Sequence, residues 1–246
     1  MRWFLSGLLI WSVSAAASVA HDDIVPYAVD NQIVTGGHDD VLGTDTITER
    51  VFGLDFGEDP ADPYVIGDPG FNNGSFAIGV FPGDGLLPQN ITLGFAPVSD
   101  LWYWDGADAV DFGPAPTDVS LGLKRGSNMV SISGSGQSGT VPTIGNTGTS
   151  GRLHVHLESL LQYADSVDPS APNAPDGIYL LSLVLTAPGS NLKNSEPFYL
   201  VYNNGLSEEV HDMALGWVEQ TLVPEPGSAV LGALGLLGLF AVRRRN

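Results

Sequence analysis

The sequence predicts a mainly β fold. It is a β-sandwich or jelly-roll-like ectodomain with one C-terminal amphipathic helix, followed by a short transmembrane helix. Three observations lead there. Glycine and proline are frequent, 31 and 17 of 246 residues, and turn signals return roughly every eight to twelve residues, as in sandwiches and barrels. The runs between those signals are short and alternate apolar with polar residues, the pattern of half-buried strands. Only one segment, near residue 210, repeats its apolar side chains at helical spacing.

The elements follow in order. Residues 1–20 read as a secretory signal peptide. Arg2 supplies the positive start, 3–13 the apolar stretch, and Ser18-Val19-Ala20 a small-x-small cleavage site. Cleavage after Ala20 makes His21 the first residue of the product. Strands are expected at 24–27, 32–35, 50–56, 75–81, 91–95, 101–104, 119–123, 128–133, 152–158, 177–185 and 198–202. Asn73-Gly74 reads as a tight turn before the fourth of these. The Gly/Ser/Thr-rich stretch 134–150 reads as a long flexible loop. A helix then begins after Ser207, a candidate N-cap, with Glu208 and Glu209 facing the macrodipole. Val210, Met213, Ala214, Trp217 and Val218 form its expected buried stripe. The β-rich domain thus covers 21–222 and a separate tail covers 223–246.

Composition narrows the function classes. The chain has 28 Asp+Glu against 9 Lys+Arg. Four of those nine (Arg2, Arg243, Arg244 and Arg245) and one acid (Glu225) lie in the two terminal segments, so 21–222 carries a formal charge of −22. That argues against nucleic acid or an anionic membrane as partner. The acidic loop 55–68 (Asp55, Glu58, Asp59, Asp62, Asp68) offers oxygens to calcium, but without the regular Asp-x-Asp-x-Asp-Gly spacing, so a solvated loop is the better reading. The chain has no cysteine, so an exported core here holds without disulfides.

The tail combines three signals. Val223-Pro224-Glu225-Pro226 breaks any upstream helix. The uncharged run 227–242 would span about 24 Å as a helix, short of a hydrocarbon core of about 30 Å. Arg243, Arg244 and Arg245 follow, and by the positive-inside bias they stay cytoplasmic. Together these resemble the PEP-CTERM sorting signal of exosortase-dependent Gram-negative bacterial proteins. The resemblance implies recognition and cleavage by an exosortase near Pro-Glu-Pro and transient residence in the inner membrane through 227–242. It further implies delivery to the cell surface or an exopolysaccharide matrix.

The chemistry-bearing motif is Leu153-His154-Val155-His156-Leu157-Glu158. Alternation places Leu153, Val155 and Leu157 on one face and His154, His156 and Glu158 on the other. Two imidazoles at i and i+2 can converge on zinc or copper. The chain has five histidines. The expected ligand set is His21, His154, His156 and His211, with Glu158 and His38 as alternates. His-Val-His, the strand beginning Asp176-Gly177-Ile178-Tyr179 and the segment Pro197-Phe198-Tyr199-Leu200-Val201-Tyr202 also resemble zinc-repressed PEP-CTERM proteins of cyanobacteria, which implies metal binding outside the cell.

Other motifs carry less. Gly134-Ser135-Gly136-Gln137-Ser138-Gly139 matches Gly-x-Gly-x-x-Gly but lacks the βαβ setting a dinucleotide needs. Common hydrolase signatures are absent. Trp102 and Trp104 share a face opposite Tyr103, which suits core packing or a sugar platform. The expectation is therefore a non-enzymatic, exported surface or matrix protein that binds a transition metal. A structural or carbohydrate-binding matrix protein without metal is the alternative. A secreted copper-dependent polysaccharide oxidase using the freed amino group of His21 ranks below both.

Overall fold

The computed structural model describes residues 22–39, 42–163 and 174–223. The signal peptide, His21, Pro224 to Pro226, the apolar run 227–242 and the three terminal arginines lie outside the described residues. Strands β1 to β6 are Asp22–Val29, Gln32–Asp39, Thr44–Thr46, Val51–Asp55, Val65–Ile66 and Gly70–Asn72. Strands β7 to β12 are Thr92–Pro97, Trp102–Trp104, Gly113–Pro114, Val119–Arg125, Asn128–Ser133 and Gly136–Gly139. Strands β13 to β17 are Thr143–Asn146, His154–His156, Glu158–Tyr163, Gly177–Thr186 and Phe198–Asn204, and helix α1 is Glu208–Leu222.

Three sheets result. The first has the order β14-β6-β1-β2-β3 and the second β12-β11-β10-β15-β5. The third runs β13-β7-β16-β17-β4, with β8 beside β16 and β9 beside β8. One large core gathers side chains from all three: Ile24, Ile33 and Phe71 from the first, Leu121, Ile132 and Leu161 from the second, Leu181, Leu183 and Phe198 from the third. On its other face the third sheet presents Val51, Trp104, Ile178, Leu180 and Val201 to Ala214 and Val218 of α1. Strands β16 and β17 are thus covered on both sides. That explains why they read as near-continuous apolar runs rather than alternating ones. The domain is sandwich-like, with the helix as an outer layer.

Several expectations change. The segment expected as a strand at 75–81 folds instead as a 3-10 turn, Ser75–Ala77, with a second at Pro82–Gly85. Gly79, Gly83 and Gly85 there have positive φ, which no regular strand accommodates. The strand of this region is β6, just upstream. Asn73, expected in a tight turn, is fully buried, and its side chain bridges the carbonyls of Gly85 and Gly151 and the N–H of Leu153. The stretch 134–150 holds β12 and β13 rather than a flexible loop. Its Gly-rich motif includes the β11–β12 hairpin.

Helix α1 forms where expected, but Ser207 makes no side-chain cap to the backbone. Its carbonyl accepts from the N–H groups of Val210 and His211. Met213 is 50 % exposed, while His211, Ala214 and Val218 are buried. The true stripe is rotated toward His211 and Leu215. Trp104 is buried beneath the helix layer, and Trp102, on the same face of β8, is 37 % exposed.

Candidate metal centre

Three adjacent strands build one patch. Strand β14 lies antiparallel to β6, with His154 opposite Asn72, Val155 opposite Phe71 and His156 opposite Gly70. Strand β6 runs parallel to β1, with Phe71 opposite Ile24. Ile24 and Phe71 enter the core and Val155 packs against it. Alternation therefore turns Asp23, Gly70, Asn72, His154 and His156 to the other face. Leu157 anchors the end of β14 in the core, at 1 % exposure. There the chain leaves the first sheet and enters the second as β15.

The two imidazoles converge. His154 Nε2 and His156 Nε2 are 3.1 Å apart. Two nitrogens bound at about 2.05 Å by one tetrahedral zinc would stand about 3.3 Å apart. Asp23 completes a group whose ligand atoms all lie within 4.8 Å of one another. Its Oδ2 accepts from Asn72 Nδ2 at 2.9 Å and stands 4.0 Å from His154 Nε2. Among the described residues its Oδ1 has no hydrogen-bond partner, although the side chain is 1 % exposed. A buried carboxylate oxygen without a donor is costly, and a cation beside it removes that cost. The histidines are open to solvent, with side chains 60 % and 44 % exposed, so an ion has a path in.

A surrounding layer orients the pair. His156 Nδ1 lies 3.0 Å from the carbonyl oxygen of Gly67 and 3.2 Å from Asp68 Oδ1. Both partners are acceptors, so Nδ1 donates to them and Nε2 is the nitrogen turned toward His154. The Asp68 carbonyl accepts from Ser159 Oγ, which pairs with the buried Tyr202 hydroxyl at 2.9 Å. Burial drives the Tyr202 hydroxyl pKa upward, so it stays neutral there. Gly70 lies between the two strands that carry ligands: a Cβ there would be 1.9 Å from Asp23 Oδ1 and 2.9 Å from His156 Cε1.

The other expected ligands that the structure describes stand elsewhere. His21 lies outside the described residues. Glu158 belongs to β15, after the change of sheet, and its Oε1 pairs with Lys124 Nζ at 2.6 Å. His38 faces Asp23 across the β1–β2 ladder, but its Nδ1 is bound to Asp45 Oδ1 at 2.7 Å and its ring stacks on Phe76. His211 is behind the third sheet. Its Nε2 donates to the Val201 carbonyl at 2.9 Å and its Nδ1 lies 3.5 Å from Asp55 Oδ1.

Asp55, Glu208 and His211 form a second group of metal-capable side chains. Its chemistry is that of an ion pair. Burial opposes charging of His211, but the Asp55 carboxylate and the Val201 carbonyl outweigh it and raise the pKa above its ordinary value. Burial likewise opposes ionisation of Asp55, yet hydrogen bonding and attraction to His211, with a bond from Asn203, hold its pKa low. Both ring nitrogens face oxygen acceptors, the Val201 carbonyl and the Asp55 carboxylate, which leaves no lone pair turned to a metal.

Sequence reasoning missed Asp23 and Gly70, and read Asp68 only as part of an acidic loop. Asp23 had a signal: it precedes Ile24 on a strand whose next residues are apolar. Gly70 had none, because its role exists only across strands.

Residues 222–245 match the model of the PEP-CTERM protein-sorting motif. No curated protein and no solved structure matches the chain. The match covers the tail and leaves the β domain to its own geometry. The chain therefore carries a PEP-CTERM protein-sorting motif, which implies processing by an exosortase.

Proposed function

We propose that this exosortase-sorted, exported protein is a non-enzymatic component of the cell surface or extracellular matrix, and that it binds zinc or copper at Asp23, His154 and His156. One observation carries the reading: the unpartnered Oδ1 of a fully buried Asp23 beside two imidazole nitrogens 3.1 Å apart. Two nitrogens and one carboxylate form a set that suits either metal. Calcium fits less well, because it selects oxygen ligands. Three protein ligands leave a position for water or a fourth donor, and the exposed histidines favour exchange over permanent structural binding.

The test is calorimetric titration of zinc and copper into the full-length chain in detergent. Micromolar or tighter binding, weakened about tenfold or more by His154→Ala with His156→Ala, supports the reading. Binding unchanged by that pair of substitutions sinks it. If copper binds, peroxide-dependent oxidation of a polysaccharide would mark an oxidase rather than a carrier.

A second reading, a carbohydrate-associated matrix protein without metal, draws on a polar cleft of about 380 Å³. Thr117, Ser120, Ser131, Ser133 and Gln137 are among its lining residues. Hydroxyl and amide groups suit a glycan. Among the described residues its lining contains no aromatic ring, so the metal reading is preferred.

A further inference from the structure

Helix α1 delivers the chain to its sorting motif with no spacer. The helix ends at Leu222, where the matched motif begins. Tyr199 Oη donates to the Leu222 carbonyl at 3.2 Å. Leu222 and Val223 pack against the layer formed by Val51, Trp104, Ile178, Leu180 and Val201. Val223 leaves the helix extended, at φ −100° and ψ 99°, the conformation that a following proline requires.

A cleft of about 180 Å³ opens at this point, lined by Ser99, Trp102, Leu180, Ser182, Tyr199 and Leu222. The helix layer covers Trp104 and stops short of Trp102. Two aromatic side chains, two leucines and two serines form the kind of lining that receives proline in an extended segment. Pyrrolidine rings lie against the aromatics, and the segment loses little entropy because it is already stiff. Leu222 itself lines the cleft, and three residues beyond Val223 span at most roughly 11 Å, so Pro224, Glu225 and Pro226 are within reach of it.

We propose that the Trp102–Tyr199 cleft is the seat of the chain's own Pro224-Glu225-Pro226 segment. The folded domain then holds its sorting motif against its surface, and the motif must leave Trp102 before an enzyme can bind it as an extended substrate. This is independent of the metal centre.

The absence of cysteine allows a clean test in the full-length chain in detergent. Ser99→Cys with Glu225→Cys places one thiol in the cleft and one in the motif. The same pair of cysteines in a Trp102→Ala background, or with Pro224→Ser and Pro226→Ser outside the folded domain, is the comparison. A docked motif raises the effective concentration of the two thiols, so the disulfide forms about tenfold faster or more without those substitutions than with either set. A rate indifferent to both sets of substitutions overturns the proposal.

Discussion

Asp23 and His156 meet over a residue that has no side chain. A Cβ on Gly70 would stand 1.9 Å from Asp23 Oδ1 and 3.1 Å from His156 Nδ1, so the carboxylate and the imidazole share space that any other amino acid would fill. Gly70→Ala is therefore expected to remove metal binding. It also destabilises the domain by about 1–3 kcal/mol through overpacking. Titration and a thermal melt of the same variant check both parts; retained affinity would show that the two groups do not act together.

Asp23→Asn separates stability from binding. Without metal, the substitution removes a buried charge whose Oδ1 has no donor, so the metal-free protein should melt at the same temperature or higher. With zinc at about a hundred times the dissociation constant, a single site stabilises by about 2.7 kcal/mol. Most of that increment should vanish in the variant. A large drop in metal-free stability would instead mean that the carboxylate is structural.

Asn73 ties the start of β14 to the loop beneath it. Asn73→Ala leaves the carbonyls of Gly85 and Gly151 and the N–H of Leu153 without this partner, at about 2–4 kcal/mol. Because Leu153 precedes His154, metal affinity should fall with stability. Denaturant melts and titration of the variant should move together.

The Asp55–His211 pair sets a pH window. His211 has its folded pKa raised above 6.5, so its contribution is complete below 6.5 and is lost as pH rises through the raised value. Asp55 has its folded pKa lowered below 3.8, so its contribution is complete above 3.8 and is lost as pH falls through the lowered value. The pair is fully effective between those ordinary values. Asp55→Ala should cost roughly 2–3 kcal/mol near pH 5, toward the low side for a broken pair because Asp55 is 24 % exposed. The loss should shrink on the alkaline side. Melts of both proteins across pH 4–9 decide it, and parallel curves would remove the pair from the account.

Local pattern made much of this legible. The alternation of Leu153 to Glu158 gave the faces of both histidines, and the spacing from Val210 to Val218 gave the helix. What stayed hidden was long-range. The change of sheet after Leu157 separates Glu158 from His156 although they are two residues apart. No periodicity marks where a strand exchanges one partner for another. Asp23 comes to the histidines through β6, whose three residues are too short to announce a strand. His211 seemed a ligand because its side of α1 was assigned from apolar spacing alone. The sheet behind it supplies Asp55 and Val201, and these make it an ion-pair partner.

The union of Asp23 with His154 has a mechanical consequence for a chain without cysteine. An ion held between them would join points about 130 residues apart, and closing a loop of that length restrains the unfolded chain by on the order of 4–5 kcal/mol in the simple entropic picture. Such a clasp fastens when the ion is plentiful and opens when it is scarce. The toughness of this domain would then follow the metal content of its surroundings.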